Sequence, residues 1–303
     1  MRILILGAGA IGGYYGGRLA AAGADATFLV RPRRAEQLAR DGLVIKSPKA
    51  DVRMPVKTVS RDEARPGYDA ILLSCKAYDL DDAIDSIRPA AAGALIIPLL
   101  NGMRHLDALD AAFGQDHVAG GVALIGTTME ADGSIVHLDR GDGLSYGERT
   151  PAQAAICAAL TPMMAGSGFA GRRSTGIVQE MWEKFAFITS NAGICCLMRG
   201  DIGTIARTQE GLGLVRELIA ECIATTSAAG FPPRAPSRER LDTQLTNPES
   251  TMTASMLRDL RRGNQVEAQH VVGDMLARAQ KAGLAAPLLR AVYTSLQVYQ
   301  AGL

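Results

Sequence analysis

The first twenty residues read MRILILGAGAIGGYYGGRLA, and they predict the fold of the N-terminal half. Met1 to Leu6 is a short, continuously apolar run, which is typical of a strand buried on both faces of a sheet. The turn Gly7-Ala8-Gly9-Ala10-Ile11-Gly12 follows directly and opens a predicted helix that ends near Ala22. In this pattern the first glycine permits a tight turn, the second lets a pyrophosphate approach the backbone, and the third allows close helix–strand packing. The stretch predicts a dinucleotide-binding turn, and a purely structural glycine turn is the alternative.

Strand-like and helical patterns alternate through the rest of the first half. Further strands are predicted at residues 24–30, 69–75 and 94–100, with a helix around residues 81–88. This alternation predicts an α/β domain, with helices on both faces of a parallel, doubly wound Rossmann-type sheet. Turn glycines at residues 132–133 and 141–143 predict a hairpin meander that closes this domain.

The second half has a different, almost entirely helical pattern. Helices are predicted at residues 176–198, 208–229, 255–282 and 287–299, with a proline-rich linker at residues 231–236. We therefore expect an N-terminal Rossmann domain over residues 1–172, followed by an all-α C-terminal domain over residues 173–303.

Composition excludes several classes of protein. The 303 residues carry 32 Lys and Arg against 31 Asp and Glu, so the net charge of +1 does not favour nucleic acid or a membrane as partner, despite the basic cluster at residues 258–262. The five cysteines are odd in number and form no CxxC pair, so neither a disulfide framework nor a metal site is predicted. No signal peptide precedes the glycine turn and no apolar run reaches about 20 residues. These features predict a cytoplasmic protein.

The end of the second predicted strand indicates which dinucleotide is bound. NAD sites usually carry Asp or Glu there, to hold the ribose 2′-hydroxyl. This chain has Arg31, with Arg33 and Arg34 close by and no acidic residue before Glu36. An arginine fork suits a 2′-phosphate, so NADP(H) is the predicted cofactor, and a solvated basic loop is the alternative.

Several motifs along nearly the whole chain resemble the ketopantoate reductase (2-dehydropantoate 2-reductase) family. The motifs are GAGAIGGYYGGRLA (residues 7–20), LLSCKAYD (72–79), PLLNGM (98–103), GTTMEADGSIVH (126–137), Trp182-Glu183-Lys184 and SMLRDLRRGNQVEAQHVVGDML (255–276). The resemblance implies a Rossmann domain, a helical domain, NADPH, and reduction of a 2-oxo acid to the D- or R-configured hydroxy acid.

The resemblance also implies roles for individual residues. Lys184 matches the family's catalytic lysine, and Glu267 matches the active-site glutamate. Asn101 matches an asparagine that contacts both cofactor and substrate, Lys76 a cofactor-contacting lysine after the fourth parallel strand, and Ser255 a substrate-binding serine. The chemistry supports the lysine independently, because an ammonium group can stabilise the charge that hydride transfer builds on a ketone oxygen and donate the proton. Glu267 could orient that ammonium group.

Each of these residues also has a purely structural interpretation. Lys184 could extend its charged end from an amphipathic helix into solvent. Asn101 could simply form a turn with the following glycine. Ser255 could cap a helix N-terminus, and Glu267 could pair with an arginine on a solvated face.

The family's substrate pocket is only partly retained. The family has asparagines four, eight and eighteen residues after the catalytic lysine, and this chain has Ile188, Ala192 and Ile202 there. The family has a further asparagine three residues before the serine, and this chain has Met252 there. Asn191, seven residues after Lys184, returns to nearly the same helical face and is our candidate for part of the lost hydrogen bonding. The pocket is therefore predicted to be more apolar than a ketopantoate site.

The sequence thus leads to one main functional hypothesis and two alternatives. The main one is NADPH-dependent reduction of a 2-oxo acid, with 2-dehydropantoate, converted to pantoate in pantothenate biosynthesis, as the leading named substrate. The alternatives are a D-2-hydroxy acid dehydrogenase acting on a branched or aromatic 2-oxo acid, and a non-catalytic NADP(H)-sensing module. A homodimer is compatible with this plan, since symmetric dimers are the commonest soluble oligomers.

Overall fold

The computed structural model describes the whole chain apart from the side chains of residues 139 and 140. It divides into two compact units, and the first comprises residues 1–100 and 105–178. The second comprises residues 101–104 and 179–303. This division falls at residue 178, and the domain boundary at residue 172 stays a prediction.

The strands all lie in the first unit. They are β1 (Arg2–Leu6), β2 (Asp25–Leu29), β3 (Leu43–Lys46), β4 (Val52–Met54), β5 (Lys57–Val59), β6 (Ala70–Leu73), β7 (Leu95–Pro98), β8 (Gly120–Met129), β9 (Ile135–Gly147) and β10 (Gly171–Arg173). A five-stranded sheet has the order β5-β2-β1-β6-β7, and every pair in it is parallel. These parallel pairs confirm the predicted sheet. Short apolar runs such as AILL in β6 and LIIP in β7 are buried at every position, as expected of strands covered on both faces.

The helices are more numerous than the sequence pattern indicated. They are α1 (Ala10–Ala21), α2 (Pro32–Asp41), α3 (Leu80–Ile87), α4 (Arg104–Phe113), α5 (Ala154–Ala165), α6 (Ile177–Met198), α7 (Ile202–Ala206), α8 (Gly211–Ala228), α9 (Ala235–Leu245), α10 (Ser255–Arg261), α11 (Asp274–Lys281) and α12 (Pro287–Ala301). From α6 onward the second unit is helical, in agreement with the predicted all-α half. Of the helices that the structure describes, none has the length and apolar character that a membrane span requires.

A second, mixed sheet completes the first unit, and here one turn prediction was wrong. Strands β8 and β9 form one long antiparallel hairpin, and residues 141–143 continue β9 instead of turning. Two side chains of α1 hold this segment, since the Tyr14 hydroxyl donates to Asp142 (2.9 Å) and the Tyr15 hydroxyl donates to the Gly143 carbonyl (2.9 Å). A register shift between Ile125 and Thr127 absorbs the irregularity.

The helix predicted over residues 255–282 was also wrong as a single element. It ends at Arg261, where Gly263 adopts a left-handed conformation with φ +70° and Asn264 donates to the Asp259 carbonyl at 3.0 Å. Such a glycine terminates a helix because other residues resist that conformation. A π-helical turn over Gln269–Gly273 then leads into α11.

Candidate active site

The glycine turn between β1 and α1 has the geometry of a phosphate-binding turn. Gly7 adopts φ +86°, a conformation that favours glycine, and α1 starts at Ala10 with Gly9 as its N-cap. The first turn of α1 carries no acidic residue. Its leading backbone N–H groups, with the positive end of the helix dipole, therefore suit an anion.

Two glycines of this turn show why the residues fit a dinucleotide. A Cβ atom on Gly12 would collide with the Ser74 hydroxyl and the Gly7 carbonyl, so this position is needed for close packing. A Cβ atom on Gly9 would meet no heavy atom within 4 Å, so the backbone there borders open space. Open space beside unpaired helix N–H groups is what a pyrophosphate requires.

Two of the arginines after β2 are used differently. The Arg31 side chain is 71% exposed and forms ion pairs with Asp79 (3.3 Å) and Asp82 (3.0 Å). Arg34 instead turns inward, and its Nε and Nη2 atoms donate to the Ala8 carbonyl at 3.1 and 2.8 Å. The contact of Arg34 with the glycine turn could not be predicted, because a basic cluster in the sequence does not show which side chain points inward.

The remaining predicted cofactor residues follow strands β6 and β7. Lys76 lies three residues after β6, which is the fourth parallel strand in chain order, and is partly buried. Within the first unit, Arg31 and Lys76 thus follow the two strands that flank β1, and the glycine turn follows β1 itself. Asn101 lies three residues after β7 and belongs to the second unit, together with Lys184, Asn191, Ser255 and Glu267.

Lys184 lies on α6, close in sequence to the buried residues Trp182 and Phe185, and is itself partly buried. Burial lowers the pKa of its ammonium group to about 8, against an opposing effect of the Glu267 carboxylate. Among the residues that the structure describes, none accepts a hydrogen bond from this ammonium group. A desolvated ammonium group without a protein acceptor is available to a ligand.

Glu183, the neighbour of Lys184, has a structural role. Its carboxylate accepts hydrogen bonds from the Arg234 backbone (2.9 Å), Nε (2.7 Å) and Nη2 (2.7 Å). Burial alone would raise the pKa of Glu183, but the bonds from Arg234 and Gln179 hold it at about 2. Glu183 thereby connects α6 to Arg234, the N-cap of α9.

Asn191 and Ser255 lie in one region of the second unit. The Asn191 side chain is 9% exposed, and its Oδ1 atom accepts from the Cys195 thiol at 3.4 Å. Cys195 in turn lies against the backbone of Ala254, beside Ser255. Ser255 is exposed and is the first residue of α10, whose N-cap is Ala254, so the helix-cap interpretation of Ser255 was wrong.

The four positions at which the family's asparagines are replaced are largely shielded from solvent. Ile202 is fully buried and its backbone N–H donates to the Met252 carbonyl at 3.0 Å. Ala192 is buried, while Ile188 and Met252 are partly exposed. These four positions carry apolar side chains where the family resemblance implies carboxamides.

The chain is similar to known proteins in both sequence and structure. The family model "Ketopantoate reductase PanE/ApbA" matches residues 3–150, and the corresponding C-terminal model matches residues 176–300. An uncharacterized oxidoreductase of Bacillus subtilis is 35% identical over 99% of both chains.

Two solved structures have the same fold. The 2-dehydropantoate 2-reductase of Geobacter metallireducens superposes with a TM-score of 0.88 at 28% identity, over 98% of this chain and 99% of that one. A D-mandelate dehydrogenase in complex with NADH and anilino(oxo)acetate superposes with a TM-score of 0.89 at 19% identity, over 100% and 99%. The family models and the whole-length relatives lead to one conclusion: this chain belongs to the ketopantoate reductase PanE/ApbA family of oxidoreductases.

Proposed function

We propose that this protein reduces a 2-oxo acid to the D- or R-configured 2-hydroxy acid, with Lys184 as the proton donor. The observation that carries the proposal is the partly buried Lys184 ammonium group, whose pKa is lowered to about 8 and for which the described residues offer no acceptor. A general acid works best when its pKa lies near the operating pH. A lysine that merely extended into solvent would have a pKa near 10.4.

The neighbouring residues complete the chemistry. The Lys184 ammonium group would hold the ketone oxygen and pass it a proton as negative charge develops there. Glu267 stabilises the charged form of Lys184, as its effect on the lysine pKa indicates. Asn101 and Ser255 are proposed to bind the substrate, and the Asn191 Nδ2 atom, which has no acceptor among the described side chains, is proposed to join them.

NADPH is the proposed cofactor, held by the glycine turn, Lys76 and Asn101, with Arg31 at the ribose 2′-phosphate. When bound, this cofactor supplies the hydride for the reduction. The exposed Arg31 guanidinium supports the assignment, since it would exchange its carboxylate partners Asp79 and Asp82 for the phosphate.

Arg31→Ala should therefore lower kcat/KM with NADPH by about 10-fold or more, the effect of losing a charged hydrogen bond. The same substitution should change kcat/KM with NADH little, and Arg33→Ala serves as the matched control. If the ratio of kcat/KM with NADPH to kcat/KM with NADH is unchanged in Arg31→Ala, Arg31 does not bind the 2′-phosphate.

Two substrate classes are compatible with the site. The 2-dehydropantoate 2-reductase from Geobacter metallireducens makes 2-dehydropantoate the first candidate. The apolar side chains of Ile188, Ala192, Ile202 and Met252 favour the second candidate, a branched or aromatic 2-oxo acid, because they cannot pair with a substrate hydroxyl.

NADPH oxidation measured across a panel of 2-oxo acids tests the proposal. The panel consists of 2-dehydropantoate, 2-oxoisovalerate and benzoylformate, with Lys184→Ala as control. Turnover of at least one acid that is lost in the control supports the proposal. Tight NADPH binding without turnover of any acid would instead favour a sensing module.

A further inference from the structure

His270 is a buried polar residue that has no role in the reaction proposed above. It lies in the π-helical turn Gln269–Gly273 and is 7% exposed. The turn starts beside Glu267, whose carbonyl accepts from the Val271 N–H at 3.0 Å. Turns of this kind are rare and occur frequently at functional sites. The backbone thus places His270 and Glu267 on one short segment.

The imidazole of His270 contacts the turn that carries Asn101. It forms a hydrogen bond with the Asn101 backbone. Gly102 adopts φ +83°, and a Cβ atom there would lie 2.9 Å from the His270 carbonyl oxygen and 3.1 Å from its Cδ2 atom. The Asn101-Gly102 turn therefore packs directly on His270, without room for a side chain at position 102.

The charges around His270 determine which partner donates. Glu267 and Asp274 from its own segment and Arg104 from the start of α4 face the ring. Burial lowers the pKa of His270, and the two carboxylates oppose this effect only in part. The bond to Asn101 raises the pKa, so the ring N–H is the donor and the Asn101 carbonyl is the acceptor.

We propose that His270 is a positioning residue that holds the backbone of Asn101 in a fixed place relative to Glu267. This inference rests on the proposed function, which gives the Asn101 side chain its role in binding cofactor and substrate. A buried donor to a backbone carbonyl restrains the turn, and the rigid turn keeps the Asn101 carboxamide aimed at its ligand.

A pair of substitutions separates this role from simple packing. His270→Phe removes the donor and keeps a flat ring, whereas His270→Gln keeps an N–H donor. We expect His270→Phe to lower kcat by about 10- to 100-fold, the size of effect that misplacing a binding group produces. The KM for NADPH should rise, and so should its dissociation constant, which is measured by fluorescence titration. In His270→Gln both constants should return most of the way to their wild-type values. If His270→Phe does not fold, His270→Met takes its place.

His137→Phe is the matched control, because His137 is also buried and hydrogen-bonded, to Ser47 (3.0 Å) and to the Gly141 carbonyl (2.9 Å), but lies in the first unit. It should lower the melting temperature and leave kcat unchanged. Wild-type kcat and NADPH affinity in a folded His270→Phe would overturn the inference, as would equal losses in the Phe and Gln variants. If the wild type reduces no acid, the reduction proposal fails, and the NADPH titrations still decide the role of His270. If it does not bind NADPH either, both proposals fail.

Discussion

At the scale of single residues, two glycines of the β1–α1 turn differ in the space around them. Gly9→Ala adds a methyl group to open space, so the protein should fold normally but bind NADPH more weakly. Gly12→Ala drives a methyl group into Ser74 and Gly7, so it should lower the melting temperature. Thermal unfolding together with NADPH titration checks both variants. Equal losses of stability would contradict the assignment of Gly9 to the cofactor.

Lys184 gives a second residue-scale prediction, on the pH dependence of reduction. The proton donor must be charged, and its pKa is about 8, so kcat/KM should be level below that pH. Above it, kcat/KM should fall by about tenfold per pH unit. Glu267 raises this pKa, so Glu267→Gln should shift the fall to lower pH. A profile that stays level beyond pH 10, or that does not move in Glu267→Gln, would contradict the pairing.

Residue identities were easier to predict than residue surroundings. The glycine turn was predictable because backbone conformation and close packing restrict Gly7 and Gly12 to one residue type. The inward direction of Arg34 and the contact between His270 and Asn101 were not, since both join residues far apart in the chain. Such contacts depend on tertiary packing, which a local pattern does not contain.

At the scale of elements, the Glu183–Arg234 pair connects α6 to α9. Arg234→Ala would leave the buried Glu183 carboxylate short of two hydrogen bonds, so we expect a loss of about 1–3 kcal/mol in unfolding free energy. This loss of unfolding free energy is smaller than that expected for a fully buried ion pair, because the Arg234 side chain is 55% exposed. Arg216→Ala, at an exposed ion pair with Asp242, is the control and should change little.

The sign of the pH effect offers a check on this pair. The pKa of Glu183 is held near 2 in the folded protein, below its value in the unfolded chain. Its contribution to stability is therefore present at neutral pH and is lost as the pH falls toward about 2. Denaturant unfolding should show the difference between wild type and Arg234→Ala narrowing below about pH 4. A difference that does not depend on pH would contradict this account.

Element types were predictable where periodicity is sustained, and element ends were not. The strands β1, β2, β6 and β7 and the long helix α6 follow their apolar patterns. The break after Arg261 was missed because helical periodicity continues on both sides of it. Helix α9 was missed because residues 231–236 contain three prolines, although Pro236 occupies the first turn of α9, where proline is tolerated.

At the scale of the whole molecule, the two units carry different parts of the proposed reaction. The first unit contains the glycine turn, Arg31 and Lys76, and the second contains Asn101, Lys184 and Glu267. Loss of the family's asparagines should appear as a change in substrate preference rather than in cofactor binding. We therefore expect the ratio of kcat/KM for 2-oxoisovalerate over 2-dehydropantoate to fall when Ile188→Asn and Ala192→Asn are combined. An unchanged ratio would show that these positions do not select the substrate.

The role of Lys184 as proton donor is tested by comparing wild type with Lys184→Ala, for both NADPH affinity and turnover of the 2-oxo acid that the wild type reduces fastest. Loss of a positioned proton donor should lower kcat by about 10²- to 10⁴-fold, with the dissociation constant for NADPH unchanged. A Lys184→Ala protein that reduces the same acid at the wild-type rate would show that Lys184 is not the proton donor.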